Sequence, residues 1–139
     1  MKQLFAIIAC SALALTGSAV SAKSIFAERG EARLAKMLEG RTAGTPVSCI
    51  TTMRGSTAME VIDGVGLVYD AGKTIYVARP TDPKMLAGDD VLVMDRFSPS
   101  RLCAMEPMRT IDRTLGYQTG VVMLKDFVPY TKAESEQEG

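Results

Sequence analysis

The sequence predicts a mainly β (α+β) domain: a small antiparallel β-barrel or sandwich of six to eight short strands, with one N-terminal helix packed on it. Three observations carry this. Apolar and polar residues alternate at a period of two in several short runs, as in Thr74-Ile-Tyr-Val-Ala78. Turn residues punctuate those runs too often for the strand–helix alternation of a parallel sheet; Asp63-Gly64, Asp70-Ala71-Gly72, Pro80, Pro99 and Pro107 are examples. A period near 3.6 appears over one segment only, Ser24 to Glu39.

The first 22 residues read as a secretory signal rather than as structure. Lys2 supplies a positive start, and Leu4 to Leu15 is an apolar run too short to span a bilayer. Gly17 breaks it, and Val20-Ser21-Ala22 offers small residues where a signal peptidase cuts. Cleavage after Ala22 leaves residues 23–139, 117 in all. A rival reading is lipid attachment at Cys10, because Ile7-Ile8-Ala9-Cys10 loosely fits a lipidation box. The apolar run before Cys10 is short and the run after it long, which favours the cleaved signal. No second apolar run is long enough to cross a membrane.

The expected domain is single and β-rich, residues 23–130, followed by an acidic tail over 131–139 that is read as disordered. Its length suffices to bury roughly two-thirds of the surface of the unfolded chain. In order, Ser24 to Glu39 is a helix whose expected buried face holds Phe26, Ala27, Gly30, Leu34, Met37 and Leu38. Gly40 fits the position just past its end. Arg41 to Pro46 reads as a connector, and Val47 to Thr52 as a strand. Ala58 to Ile62, Val65 to Tyr69 and Lys73 to Arg79 form a meander, with Asp63-Gly64 as a two-residue hairpin turn. Asp70-Ala71-Gly72 is the second turn. Asp82 caps a short helical turn that starts at Pro83. Val91 to Met94, Arg101 to Ala104, Met108 to Asp112 and Gly120 to Leu124 are further strands. Asp126 to Tyr130 pins the end of the domain.

Cysteine arithmetic depends on the signal. Three cysteines become two when Cys10 leaves, and an even pair in an exported chain favours a disulfide between Cys49 and Cys103. Closing a loop of that length stabilises by roughly 4 kcal/mol in the chain-entropy account. The alternative, a redox-active pair, lacks the Cys-x-x-Cys spacing that such chemistry uses.

Composition narrows the function classes. Sixteen basic and sixteen acidic residues cancel, so nothing draws the chain to nucleic acid or to an anionic membrane. The sequence has no histidine. Ser-His-Asp and Cys-His catalysis are excluded, and the commonest ligand for zinc and copper is missing. Lys73, Lys84 and Lys125 stand in or near turns and strand ends, where a solvated charge is the ordinary state. The adjacent carboxylates Asp89 and Asp90, with Asp63, Asp70, Asp82, Asp95 and Asp112 at loop edges, invite an acid–base pair. Neighbouring strand residues face opposite ways, however, and turns select aspartate for their own reasons. Met105 and Met108 offer a Met-x-x-Met spacing for Cu(I), against the simpler role of methionine as core filler. Arg79, Arg96, Arg101, Arg109 and Arg113 crowd the second half, where ion pairing with nearby aspartates competes with anion binding. No catalytic, cofactor or metal residue is assigned.

The chain resembles a family of small exported bacterial proteins built on a domain of unknown function. The resemblance rests on Pro46-Val-Ser-Cys-Ile50, Val61-Ile-Asp-Gly64, Leu67-Val-Tyr69, Thr74-Ile-Tyr-Val77, Ser100-Arg-Leu-Cys103 and Asp126-Phe-Val-Pro-Tyr130, and spans about Ser24 to Tyr130. Similar sequences often carry a further cysteine before the second half, where this chain has Pro83-Lys-Met-Leu86. The resemblance implies no site residue. The functional expectation is an exported, periplasmic or secreted domain without catalytic activity or cofactor, binding another protein or a cell-envelope component, for example as an inhibitor-like module. The alternatives are a carboxylate-dependent hydrolase and a methionine-based metal handler.

Overall fold

In the computed structural model, which describes residues 25–52, 58–86, 90–96 and 98–133, the helical periodicity becomes one helix, α1 (Ile25–Met37). Gly40 follows at φ 69°, a left-handed conformation that glycine adopts without a Cβ penalty. The chain then enters β1 (Arg41–Ala43) directly. The segment expected to be a connector is thus partly strand. The Arg41 guanidinium fixes it, donating to the carbonyls of Lys73 at 2.7 Å and Gly72 at 3.1 Å.

Among the described residues ten short strands follow one another, more than the six to eight expected, because β1 and the final strand join the count. β3 (Met59–Ile62), β4 (Gly66–Asp70) and β5 (Thr74–Ala78) are the expected meander. They extend to a five-stranded antiparallel sheet in the order β1-β10-β5-β4-β3, where β10 is Val128–Lys132. β10 runs two residues past the expected boundary of the tail: Thr131 pairs with Thr42 and Lys132 with Arg41. Residues 134–139, and residues 1–24 with the expected signal, lie outside the described residues.

Two smaller antiparallel sheets complete the fold. β2 (Cys49–Thr51) pairs with β7 (Arg101–Cys103), and β6 (Val91–Met94), β8 (Met108–Ile111) and β9 (Gln118–Val122) form a three-stranded sheet in the order β6-β8-β9. Single bridges tie these to the large sheet, Val47 with Phe127 and Pro80 with Leu124. Pro129 explains why β1 and β2 are separate. Gly44 donates to the Pro129 carbonyl at 2.7 Å, but proline has no N–H to return the bond. The ladder lapses there and resumes one residue out of step at Val47. The result is sandwich-like; the sheets do not close into a barrel.

Cys49 and Cys103 face each other across β2 and β7 and are bonded, S–S 2.10 Å, Cα–Cα 4.0 Å. The flanking hydrogen bonds, from the Ala104 amide to the Ser48 carbonyl and from the Thr52 amide to the Ser100 carbonyl, make this a non-hydrogen-bonded pair, the closer of the two antiparallel spacings. The bond spans 54 positions of sequence and encloses the whole meander.

The large sheet is buried on both faces. One face, with Leu67, Tyr69 and Ala78, meets Ile50, Leu102, Met108, Val122 and Phe127 of the smaller sheets. The other, with Val68, Ile75 and Val77, meets Leu34 of α1. The helix therefore lies across a face of the sheet. Each fully buried aliphatic or aromatic side chain in such a core is worth about 1.5–3 kcal/mol.

Two local departures sharpen this packing. The turn after β3 has three residues, not two, since Ile62 pairs with Gly66. Gly64 takes φ 68°, and the added residue, Val65, is buried beneath the helix. Gly30 makes that approach feasible: a Cβ there would stand 2.7 Å from Val65 Cγ2, 2.9 Å from Ile62 Cγ2 and 3.0 Å from the Asp63 carbonyl. Gly30→Ala is predicted to lower the unfolding free energy by about 1–2 kcal/mol in a denaturant titration, the packing cost outweighing the helix-propensity gain. An alanine protein more stable than the wild type would contradict this packing.

Candidate functional site

The residues singled out as chemistry do not converge. Asp89 lies outside the described residues. Asp90 accepts a hydrogen bond from the Thr119 hydroxyl at 2.5 Å, and that hydroxyl is 2.9 Å from the hydroxyl of buried Thr110. Asp90 thus completes a polar chain that satisfies a core threonine. Asp70 accepts from the Gly72 amide and Asp82 from the Lys84 amide, so both serve the turns that the sequence placed there. Asp95 pairs with Arg109 at 2.8 Å. Among the described residues no group of three or more Cys, Asp or Glu side chains is placed to hold a metal ion. Lys73, Lys84 and Lys125 are exposed, the ordinary place for a solvated charge.

Met105 lies in the turn before β8, and Met108 is the first residue of that strand. Met105 is 79% exposed and Met108 only 1%. One is a surface side chain and the other is core, and they share no ligand position. The arginines are likewise dispersed. Arg79 makes a two-pronged contact with Glu31 of α1, at 2.5 and 2.9 Å. The hydrogen bonds that Arg79 donates to Glu31 raise its pKa, against an opposing push from burial. Arg96 donates to Thr52 Oγ1 at 2.8 Å and approaches Met59 Sδ. Arg79, Arg96 and Arg109 are thus each engaged within the protein.

Two surfaces remain once these structural roles are removed. The first belongs to the β6-β8-β9 sheet. Its inner face supplies Met108 and Val122 to the core. Its outer face carries Val91, Val121 and Met123, all exposed, with Arg109 paired between Val93 and Val121. The hairpin from β8 to β9 projects beyond it. Leu115 is 71% and Tyr117 55% exposed at its tip. That tip is nonetheless tightly held. Asp112 Oδ1 accepts from the amides of Thr114 at 2.8 Å and Leu115 at 2.6 Å. The Asp112 carbonyl accepts from Gly116, and its amide donates to Tyr117. Gly116 supplies the φ of 73° that closes the turn.

The second surface is a cleft of about 210 Å³ between α1 and β3, lined by Phe26, Arg29, Gly30, Arg33, Val61, Ile62 and Asp63. Phe26 was expected on the buried face of the helix and is instead 69% exposed. The sheet ends at β3, so the first turn of α1 overhangs its edge. Arg33 crosses to Glu60 at 2.6 Å. The periodicity of α1 flagged Phe26 as apolar and in phase but held no information on where the sheet would stop.

Comparisons with protein-family models, with curated proteins and with solved structures find no match to this chain.

Asp112 is the residue on which the tip depends. Asp112→Ala is predicted to lower stability by about 1 kcal/mol and to loosen Thr114 to Gly116, read as a fall in backbone order parameters. An unchanged denaturation midpoint together with unchanged order parameters would contradict this role.

Proposed function

We propose that this protein is an exported, non-catalytic binding domain that recognises another protein of the cell envelope, with the β8–β9 hairpin as its projecting anchor. The single observation that carries this reading is the tip itself. Four hydrogen bonds centred on Asp112 fix a turn that nonetheless leaves Leu115 and Tyr117 in water. Ordering a loop on binding costs conformational entropy, and a loop ordered beforehand avoids that cost. Large apolar and aromatic side chains held rigidly on a convex element are what fill a partner's pocket at the centre of an interface. The exposed aliphatic face of β6-β8-β9 continues the surface behind the tip. An inhibitor of a secreted enzyme is the concrete version of this mode, a convex loop entering a concave site.

Export supports the reading and belongs to the proposal. A disulfide is present, and among the described residues no helix is long and apolar enough to cross a membrane. Both are compatible with delivery to the periplasm or beyond by residues 1–22. Kinship with small exported bacterial proteins is proposed on the motifs quoted above.

The test is photo-crosslinking in the exporting cell. A photoreactive residue at position 115 or 117 should yield one discrete adduct, identified by mass spectrometry, that Ala35 on the exposed side of α1 does not give. Identical adducts from positions 35 and 115, or none from 115 and 117, would overturn the proposal.

A further inference from the structure

We infer that the cleft between α1 and β3 is a second recognition site, which takes an extended peptide by strand addition to β3, with an apolar side chain in the cleft and a carboxylate two residues away against Arg29. The edge comes first. The Ala58 carbonyl accepts from the Asp70 amide, and Glu60 pairs with Val68 in the same phase. The alternation of an antiparallel ladder then aims the N–H and C=O groups of Met59 and Val61 away from β4. Among the described residues no strand pairs with that side of β3. An open row of backbone donors and acceptors is a template for another strand.

The cleft beside the edge supplies the side-chain code. Gly30 lines it from the helix, Phe26 adds an exposed aromatic wall, and Val61 and Ile62 bound it from the sheet. At about 210 Å³ it is smaller than the roughly 300–1,000 Å³ of sites for drug-sized ligands, and suits one bulky apolar side chain. Its charges are unequal in use. Arg33 is paired with Glu60, and Asp63 has an interaction partner of its own. Arg29 lines the cleft with no ion-pair partner among the described residues. Arg29 is therefore the charge that a ligand carboxylate can meet, and the complementary peptide is acidic. In an added strand, residues i and i+2 project to the same face. The recognised pattern is therefore an apolar residue and an Asp or Glu two positions apart, both directed at α1.

This site is separate from the hairpin tip, and its test does not depend on the partner proposed there. The probe is a set of capped seven-residue peptides, mostly threonine, with Phe, Leu or Val two positions from Glu. Titrated into the full mature protein, at least one should shift the backbone amide signals of Met59 and Val61. Arg29→Glu should weaken that binding about tenfold or more, and a peptide with Lys in place of Glu should recover it on the variant. Methylating the peptide nitrogen that faces β3 should weaken binding by a similar factor, because it removes a ladder bond. No shift at Met59 and Val61 by about 1 mM peptide would overturn the inference. Binding indifferent to Arg29→Glu would do the same. Since Leu115→Ala leaves this titration unchanged if the sites are distinct, loss of peptide binding in that variant would overturn the assignment to the α1–β3 cleft.

Discussion

The constraint on which the structure rests is that β4 is buried on both faces. Leu67 and Tyr69 enter the core shared with the two small sheets, and Val68 enters the core under α1. A strand in that position cannot alternate apolar with polar, and from Gly66 to Tyr69 every residue is buried. The helix must cover one side and β2, β7, β8 and β9 the other. Removing either cover would expose several fully buried aliphatic side chains, each costing about 1.5–3 kcal/mol. That cost is large against the net stability of roughly 5–15 kcal/mol that a domain retains. The disulfide serves the same arrangement from outside. It joins β2 to β7 and encloses the meander between them.

Much of this frame is legible in the residues because the signals are local. The turn chemistry of Asp70 to Gly72 and the cap at Asp82 appear as hydrogen bonds to the Gly72 and Lys84 amides. The meander follows from alternation and turn residues, and the cysteine pairing from the expected loss of Cys10. What was not legible is decided by partners far along the chain. Arg41 to Ala43 carries no strand pattern of its own and is drawn into the sheet by β10 and by the carbonyls around Gly72. The break at Pro129 matters only because Gly44 happens to lie opposite. Val65 reads as the first residue of a strand, yet the helix needs it in a longer turn, and Gly30 leaves room for it.

The same division runs through the surfaces. Charged residues that looked available in sequence are mostly committed: Arg79 to Glu31, Arg109 to Asp95, Arg33 to Glu60, Asp112 to its own turn. Exposed ion pairs of this kind add at most about 1 kcal/mol each, but they remove the side chains from other work. Much of what they leave over is apolar. Leu115 and Tyr117 at the hairpin tip and Phe26 on the helix are large side chains that the fold holds in water. No local pattern could have announced this, because each sits in a segment whose neighbours read as turn or helix. Their exposure is a property of where the sheets end.

The measurement that tests the central claim most directly is native-state hydrogen exchange across the two cores. If β4 joins them into one cooperative unit, the amides of Val68 and Val77 exchange with the same opening free energy as those of Met108 and Val122, and that value equals the free energy of global unfolding. Exchange of Val68 and Val77 at a clearly lower opening free energy, with Met108 and Val122 still at the global value, would mean that the helix side opens on its own and that β4 does not bind the halves together.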